Sequence, residues 1–237
     1  TNGGGGRGIK KVYEESELSE NLSLARKEAT QSFGNDEVYI EKFIEDPRHI
    51  EVQIIGDKFG NIIHVGEREC SIQRRSQKVI EECPSPGISK DERERICKIT
   101  VNAFKKIGYQ NLGTVEYLYS KGNFYFIEMN TRLQVEHTVT EEVYNIDIVK
   151  EQIFIASGKK LSIRQIDIRE QCHSIECRIN AENPITLFPS TGMVTTYHPP
   201  GGPGIRVDSL LYSGCSVTAF YDGLVSKIIS TGNTRTE

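Results

Sequence analysis

The chain has 237 residues, of which 26% are charged and 37% apolar, and its net charge is −4. These values are typical of a globular protein with one large domain or two small ones, and they provide no basic field for nucleic acid. No apolar run is long enough to cross a bilayer, and the six cysteines form no CxxC pair. We therefore expect no nucleic-acid or membrane partner and a cytoplasmic location, with an organelle matrix as the alternative.

The chain opens on a glycine run that includes Gly4, Gly5 and Gly6. Backbone N–H groups of such a run can approach phosphate oxygens closely, although glycine runs are often only flexible linkers. The spacing matches neither a Walker loop nor a dinucleotide fingerprint. Because the sequence starts inside this run and stops just after an apolar segment, we interpret it as a fragment that is inactive or folds poorly alone.

The first third of the chain favours one helix followed by strands. An exposed helix is expected over 16–33, ended by Gly34. Strand-like apolar runs then follow at 38–44, 50–55 and 62–65. A polar stretch over 67–78 comes next.

The rest of the chain passes from helices to strands. Ser89 and Glu92 match a capping box, which predicts a helix that ends at Gly108. A further helix is expected over 140–157, with a break near Asn145. Strands are predicted after it, at 174–179, 194–197, 205–211 and 217–229.

The clearest hairpin lies between these helices, with its turn at 121–123. Pairing that is symmetric about Gly122 places Glu116 opposite Glu128 and Thr114 opposite Asn130. Like charges directly opposite each other are destabilising unless a cation or a shared proton lies between them. Oxygen ligands favour Mg²⁺ or Mn²⁺, so the hairpin predicts a metal site. The alternative is a solvated edge with two unrelated glutamates.

Charged residues follow the hairpin and also precede it. Arg132 can hold a planar anion and Glu136 can accept a proton, although an ordinary loop ion pair remains the alternative. Lys78 lies in a basic stretch that fits either phosphate or a solvated loop. His49 is at least as well explained by a structural role.

Seven segments together resemble the biotin carboxylase family of the ATP-grasp superfamily. They are GGGGRG at 3–8, EKFI at 41–44, PRHIE at 47–51, ERECSIQRR at 67–75, QK at 77–78, FIEMNTRLQVEH at 126–137 and ECRINAE at 176–182. The resemblance covers essentially the whole chain and is greatest to the enzyme part of acetyl-CoA carboxylase. Residues 128–137 are its specific part, whereas the glycine run is not specific.

The resemblance implies an α+β fold: an ATP-grasp core over 1–168 that lacks its start, then a β-rich biotin carboxylase C-terminal domain over 169–237 that lacks its end. It implies a ligase that uses ATP and bicarbonate to carboxylate biotin on a carrier protein through carboxyphosphate, as in fatty acid synthesis. Mg²⁺ or Mn²⁺ would accompany ATP. A carboxyltransferase would follow in the pathway, and the full-length protein would be a homodimer.

The resemblance also assigns roles to individual residues. The metal ligands would be Glu116, Glu128 and Asn130. The catalytic residues would be Glu136 as general base, Arg178 beside the biotin enolate, Arg132 and Lys78. The bicarbonate site would comprise Lys78, Arg132, Gln134 and Val135. The ATP contacts would be Gly4, Gly5, Gly6, Glu41, Lys42, Ile44, His49, Gln73 and Leu118.

One position departs from the family pattern, and two other functions stay open. Ser76 stands where many relatives have a histidine, which puts one nucleotide contact in doubt. Another ATP-grasp ligase of the carbamoyl-phosphate type is opposed by Arg178 and by Gln134 to Glu136. A non-catalytic ATP-binding remnant is opposed by the intact acidic residues. The final carboxyl acceptor stays undetermined.

Overall fold

The computed structural model describes residues 9–237 and shows an α+β fold. The helices are α1 (Leu18–Phe33), α2 (Lys90–Lys106), α3 (His137–Tyr144) and α4 (Ile148–Ala156). The strands are β1 (Arg48–Gly56), β2 (Ile62–Arg74), β3 (Gln77–Cys83), β4 (Asn111–Ser120), β5 (Asn123–Asn130), β6 (His173–Asn180), β7 (Gly192–Met193), β8 (Ile205–Ser209), β9 (Ser216–Val217) and β10 (Leu224–Gly232). Two single 3₁₀ turns, Glu15–Glu17 and Gln165–Asp167, complete the elements.

Helix boundaries follow local chemistry. α1 ends where Gly34 adopts a left-handed φ of 70°, as expected. At the start of α2 the Ser89 hydroxyl accepts from the Glu92 backbone and the Glu92 carboxylate accepts from the Ser89 backbone, so the predicted capping box is confirmed. The predicted helix over 140–157 is divided between α3 and α4, because Asn145 is left-handed with a φ of 51°.

Eight strands form one antiparallel sheet in the order β5-β4-β1-β2-β3-β6-β10-β8. Apolar side chains cover both faces of its centre. One cluster joins Ile55 and Leu112 to Val143 of α3, and the other joins Val52 and Ile54 to α2. β1 is buried on both faces, although its sequence alternates the apolar Ile50, Val52 and Ile54 with the polar Glu51 and Gln53.

Several predicted strands are wrong in place or in length. The described residues of 38–44 form no strand, because they are mostly exposed and pair with no neighbouring backbone. The polar stretch 67–78 instead belongs to the long β2–β3 hairpin, whose turn residues Arg75 and Ser76 have φ of 52° and 62°. Residues 194–197 are not a strand, and 217–229 divides between β9 and β10.

The β4–β5 hairpin has the predicted pairs, but it reaches them by another route. Its turn is the two-residue pair Lys121 and Gly122, both at positive φ, which sets a register one residue away from symmetry about Gly122. Ile127 is then an extra, bulged residue between the Tyr117–Phe126 pair and the Glu116–Glu128 pair. The bulge restores the pairs Glu116–Glu128 and Thr114–Asn130.

The sheet is continuous across the predicted division at 168/169, because β3 pairs with β6. Strands from both sides of that position therefore surround the same space, while the division into two domains stays a prediction. None of the helices formed by residues 9–237 combines the length and the apolar character that crossing a membrane requires.

Candidate active site

A strip of polar side chains runs through the centre of the sheet. Glu51 and Gln53 are two residues apart on β1 and therefore point to the same face. The pairing of β1 with β4 places Glu116 directly beside Glu51, and its pairing with β2 places Arg68 there on the other side. Arg68 is fully buried, and its guanidinium donates to Glu51, Gln53, Thr114, Gln134 and Thr140. Arg68 therefore ties three strands to the segment that follows β5.

Lys78 of β3 lies at the junction of three carboxylates. Its Nζ donates to Glu136 Oε1 at 2.8 Å, to Glu116 Oε1 at 3.0 Å and to Glu51. Burial lowers the pKa of Lys78, but the three carboxylates outweigh burial and the net direction is upward. The ammonium is therefore charged at neutral pH, and it links Glu136 to the β1–β4 strip.

Glu136 is held from its second side by Arg178 of β6. Nη2 of Arg178 donates to Glu136 Oε2 at 2.8 Å, and its Nε donates to Glu81 Oε1 at 2.6 Å. Glu136 is only 2% exposed. A buried carboxylate with one cation on each oxygen is well placed to exchange protons with a small anion bound beside it.

Glu116, Glu128 and Asn130 form the candidate metal site. Asn130 Nδ2 bridges the two carboxylates, at 2.8 Å from Glu116 Oε1 and 3.3 Å from Glu128 Oε1. Burial raises the pKa of Glu116, but His49 and Lys78 lower it to about 2. Glu116 is therefore ionised, and with Glu128 and Asn130 it forms an oxygen-rich set, open on the Glu128 side, that fits a hard divalent cation.

His49 lies between two buried carboxylates. Its Nε2 is 3.0 Å from Glu116 Oε2 and 3.2 Å from Glu51 Oε1, which are ion-pair distances rather than aligned hydrogen bonds. Gln73 Nε2 lies 3.3 Å from His49 Nδ1. Burial lowers the pKa of His49, and both carboxylates raise it to about 9. The imidazole is therefore protonated and partly neutralises the strip.

Two family models match the sequence. The "Carbamoyl-phosphate synthase L chain, ATP binding domain" model matches residues 1–164, and the "Biotin carboxylase C-terminal domain" model matches residues 176–237. The chain belongs to the biotin carboxylase family. The biotin carboxylase of Pseudomonas aeruginosa is 57% identical over 235 residues, which are 99% of this chain and 52% of the relative.

Other members of the biotin carboxylase family act within different enzymes. A pyruvate carboxylase subunit from Methanothermobacter thermautotrophicus is 53% identical over 99% of this chain and 48% of the relative. The biotin carboxylase domain dimer of Hydrogenobacter thermophilus 2-oxoglutarate carboxylase, solved with MgADP, ADP and bicarbonate, has a TM-score of 0.93 and 50% identity over 98% of this chain and 52% of that chain. The chain spans about half the length of these relatives.

Most residues that the resemblance to biotin carboxylases assigned to catalysis lie together. The Gln134 side chain donates to Glu116 Oε1 at 2.9 Å and accepts from Arg68 at 3.1 Å. The Val135 carbonyl accepts from Lys227 Nζ of β10 at 2.7 Å. With Lys78, Glu136 and Arg178, these residues line one charged cluster, whereas their individual roles remain proposals.

Other predicted site residues lie apart from this cluster or outside the described region. Arg132 is exposed, and among residues 9–237 the hydrogen bond of its Nη1 is to the neighbouring Leu133 carbonyl, at 3.3 Å. Glu41 and Lys42 are exposed on the segment before β1, while Ile44 is buried there and Leu118 pairs with His49. The described residues do not include Gly4, Gly5 and Gly6.

Sequence reasoning gave no role to four charged residues of the cluster. Glu51 and Arg68 lie inside the segments that resemble biotin carboxylases. The two-residue alternation of a strand also indicates that Glu51 lies on the same face as His49. Glu81 and Lys227 had no comparable signal, because their positions depend on how β3, β6 and β10 pair. Among the described residues, His49, Glu51 and Glu116 lie close enough together to hold a metal ion. Lys78 and the charged imidazole already neutralise the two carboxylates of this group.

Proposed function

We propose that the full-length protein carrying this chain is a biotin carboxylase, a ligase that uses ATP and bicarbonate to carboxylate biotin on a carrier protein. The observation that carries the proposal is the clamping of Glu136 between Lys78 and Arg178, which come from strands on either side of position 168. Membership of the family supports it as well.

The chemistry of bicarbonate belongs to the cations around Glu136. Lys78, Arg132, Gln134 and the Val135 backbone hold the anion, and Glu136 removes its proton so that an oxygen attacks the γ-phosphate of ATP and ADP leaves. The resulting carboxyphosphate breaks down to CO₂ and phosphate. Lys78 stabilises the charge that accumulates at the anion because its own charge is fixed by the buried carboxylates.

The biotin step belongs to Arg178. Phosphate released beside Glu136 takes the ureido proton, and the guanidinium stabilises the enolate, whose nitrogen then bonds to CO₂. The Arg178 fork suits an oxygen anion because it is planar and permanently charged. Its contact with Glu136 places this step next to the bicarbonate site.

Nucleotide and metal would lie at the other end of the strip. Glu116, Glu128 and Asn130 would hold Mg²⁺, with Mn²⁺ as an alternative ion, and the metal would neutralise the phosphates of ATP. A domain of a related enzyme, solved with MgADP, supports Mg²⁺ as the ion that accompanies the nucleotide. His49, Gln73, Leu118 and the hinge residues Glu41, Lys42 and Ile44 would contact the nucleotide, and Gly4, Gly5 and Gly6 would cover its phosphates.

The acceptor and the partners extend the same proposal. Acetyl-CoA is our first choice of final acceptor, whereas relatives act in pyruvate and 2-oxoglutarate carboxylases. A biotinylated carrier and a carboxyltransferase would be partners, in the cytoplasm or an organelle matrix. A homodimer is supported by the dimeric domain of the related enzyme.

The test measures phosphate release by the full-length protein with ATP, Mg²⁺ and bicarbonate, with and without free biotin. We expect biotin to stimulate release, and Glu136→Gln to lower the stimulated rate by about 100-fold or more because the base is lost. Glu142→Gln is the control, since Glu142 lies on neighbouring α3 and pairs with Arg206 outside the cluster. Bicarbonate-dependent hydrolysis that ignores biotin points to a carbamoyl-phosphate-type ligase, and absence of turnover to a non-catalytic nucleotide binder.

A further inference from the structure

Glu81 is a buried carboxylate to which the proposed function gives no task. Its side chain on β3 is fully buried, and Oε1 accepts from Arg178 Nε at 2.6 Å. Among the described residues, Oε2 has no hydrogen-bond partner. An unpaired oxygen on a buried carboxylate is costly, so its retention beside Arg178 needs a reason.

A β-bulge turns Glu81 toward the site. Ile72 and Gln73 are neighbours on β2, but they pair with Ile80 and Lys78, so Val79 is an extra residue on β3. Residues three apart on a regular strand face opposite sides, whereas this bulge puts Lys78 and Glu81 on the same side. β3 thereby supplies Lys78, one of the two cations that hold Glu136, and also Glu81, the carboxylate that contacts the other cation, Arg178.

The contact with Glu81 fixes how Arg178 meets Glu136. Nε and Nη2 are neighbouring donors of one planar fork, and here each serves a different carboxylate. Without Glu81, both donors would be free to bind Glu136 in the bidentate way that arginine and carboxylate prefer. That arrangement would bring the guanidinium onto Glu136 Oε1, where Lys78 now donates, and withdraw it from biotin.

The surroundings of Glu81 oppose its charge. Glu176 lies directly opposite it on β6 and is also buried, with one oxygen unpaired among the described residues. Burial raises the pKa of Glu81 to about 8, although Arg178 lowers it, while Glu176 and Glu136 raise it further. Groups kept at such cost are typical of functional sites rather than of stabilising ion pairs.

We propose that Glu81 is a positioning residue that holds the Arg178 guanidinium in a one-donor contact with Glu136 for the biotin-dependent step. The proposal rests on the proposed function of Arg178. It predicts that removing the Glu81 acceptor harms biotin carboxylation without lowering the stability of the fold. Loss of an ion pair that only stabilises the fold would instead lower the stability.

The test uses Glu81→Leu in the full-length protein, which removes the acceptor at similar size, with Glu82→Leu as the matched control. Glu82 is the next residue on β3, is also buried, and accepts from Arg235 Nε at 2.6 Å and contacts His173 away from the site. For Glu81→Leu we expect the ratio of biotin-stimulated to biotin-free phosphate release to fall about tenfold or more, with an unchanged or higher melting temperature. Glu82→Leu should keep the ratio and lower the melting temperature.

A double substitution separates positioning from other effects. In an Arg178→Ala background, Glu81→Leu should cause no further fall in the ratio, because its target is gone. The proposal is overturned if Glu81→Leu lowers both rates equally with a lower melting temperature, or if its effect persists in the Arg178→Ala protein. A wild-type protein without biotin stimulation would instead overturn the proposed function itself.

Discussion

His49 supplies a positive charge where two acids would otherwise repel each other. Glu51 and Glu116 are directly opposite on β1 and β4, and the imidazole lies within 3.2 Å of an oxygen of each. Burial raises the pKa of Glu51, but His49, Lys78 and Arg68 lower it to about 2. The positive charge of His49 is therefore needed most when no metal is bound at Glu116.

The charge of His49 predicts a pH-dependent stability. Its folded-state pKa of about 9 exceeds the ordinary value of 6.5, so its contribution is fully present below pH 6.5 and is lost as pH rises through about 9. The shift corresponds to a contribution of roughly 3 kcal/mol at most to the free energy of unfolding. This is an upper limit because the same attraction also lowers the pKa of Glu51 and Glu116. Urea unfolding of the full-length protein in metal-free buffer at pH 6 and pH 9.5 should show a larger loss in wild type than in His49→Gln, because the raised pKa of Glu81 lowers stability over the same range in both proteins.

His64 offers a matched control for this measurement. It lies on neighbouring β2, and burial lowers its pKa to about 4, so it is neutral across the same pH range. His64→Gln should therefore keep the wild-type decline between the two pH values. An equal decline in wild type and His49→Gln would show that the imidazole carries no charge in the folded protein.

At the residue scale, sequence reasoning found acids that share a hairpin but not charges that meet across distant strands. Glu116 and Glu128 are separated by a short turn, so the hairpin pattern brings them close together, although their direct pairing depends on the bulge at Ile127. Arg68 reaches Gln134 and Thr140 across more than 60 residues, and no local pattern indicates such a contact. The role of each partner in a buried network depends on the tertiary fold.

At the scale of elements, two β-bulges explain why the predicted strands do not show which side chains face the site. Val79 and Ile127 each add one residue, and each changes which side chains share a face. A bulge leaves little trace in a two-residue alternation, so a sequence pattern gives the strand but not its register. The capping box of α2 was predictable because all of its bonds lie within four residues.

Strand β10 supports the segment that carries the proposed base. Lys227 Nζ donates to the Val135 carbonyl at 2.7 Å, with Asp208 and Glu176 within 3.8 Å. Lys227→Met keeps the length of the side chain but removes the donor, which leaves that carbonyl without this bond. We expect the KM for bicarbonate to rise about tenfold, with a smaller change in kcat, in steady-state assays of the full-length protein.

Lys227→Arg tests whether the donor is the cause. Arginine keeps the charge and can still reach the carbonyl, so its KM for bicarbonate should lie close to the wild-type value. An unchanged KM in Lys227→Met, or an equal rise in both variants, would mean that β10 does not position residues 134–136.

At the scale of the whole molecule, one sheet joins the two matched regions, yet large apolar side chains remain outside its core. Ile185, Phe220 and Tyr221 are each at least 85% exposed, and Phe188 and Met193 are each at least 70% exposed. Large apolar side chains that are this exposed, and that all lie within residues 185–221, are typical of a surface that is covered by further protein. The relatives, which are about twice as long, have additional chain available for that purpose.

We therefore predict that the purified 237-residue chain does not carboxylate free biotin when supplied with ATP, Mg²⁺ and bicarbonate, whereas the full-length protein does. The reason is physical: Glu116, Glu136 and Arg178 lie together in this chain, but the sheet that holds them leaves apolar surface uncovered. Incorporation of radiolabelled bicarbonate into biotin would measure the activity of both proteins, and a dye that binds apolar surface would report the exposed apolar side chains. Fixation by the short chain at the full-length rate would show that the described sheet is sufficient for catalysis.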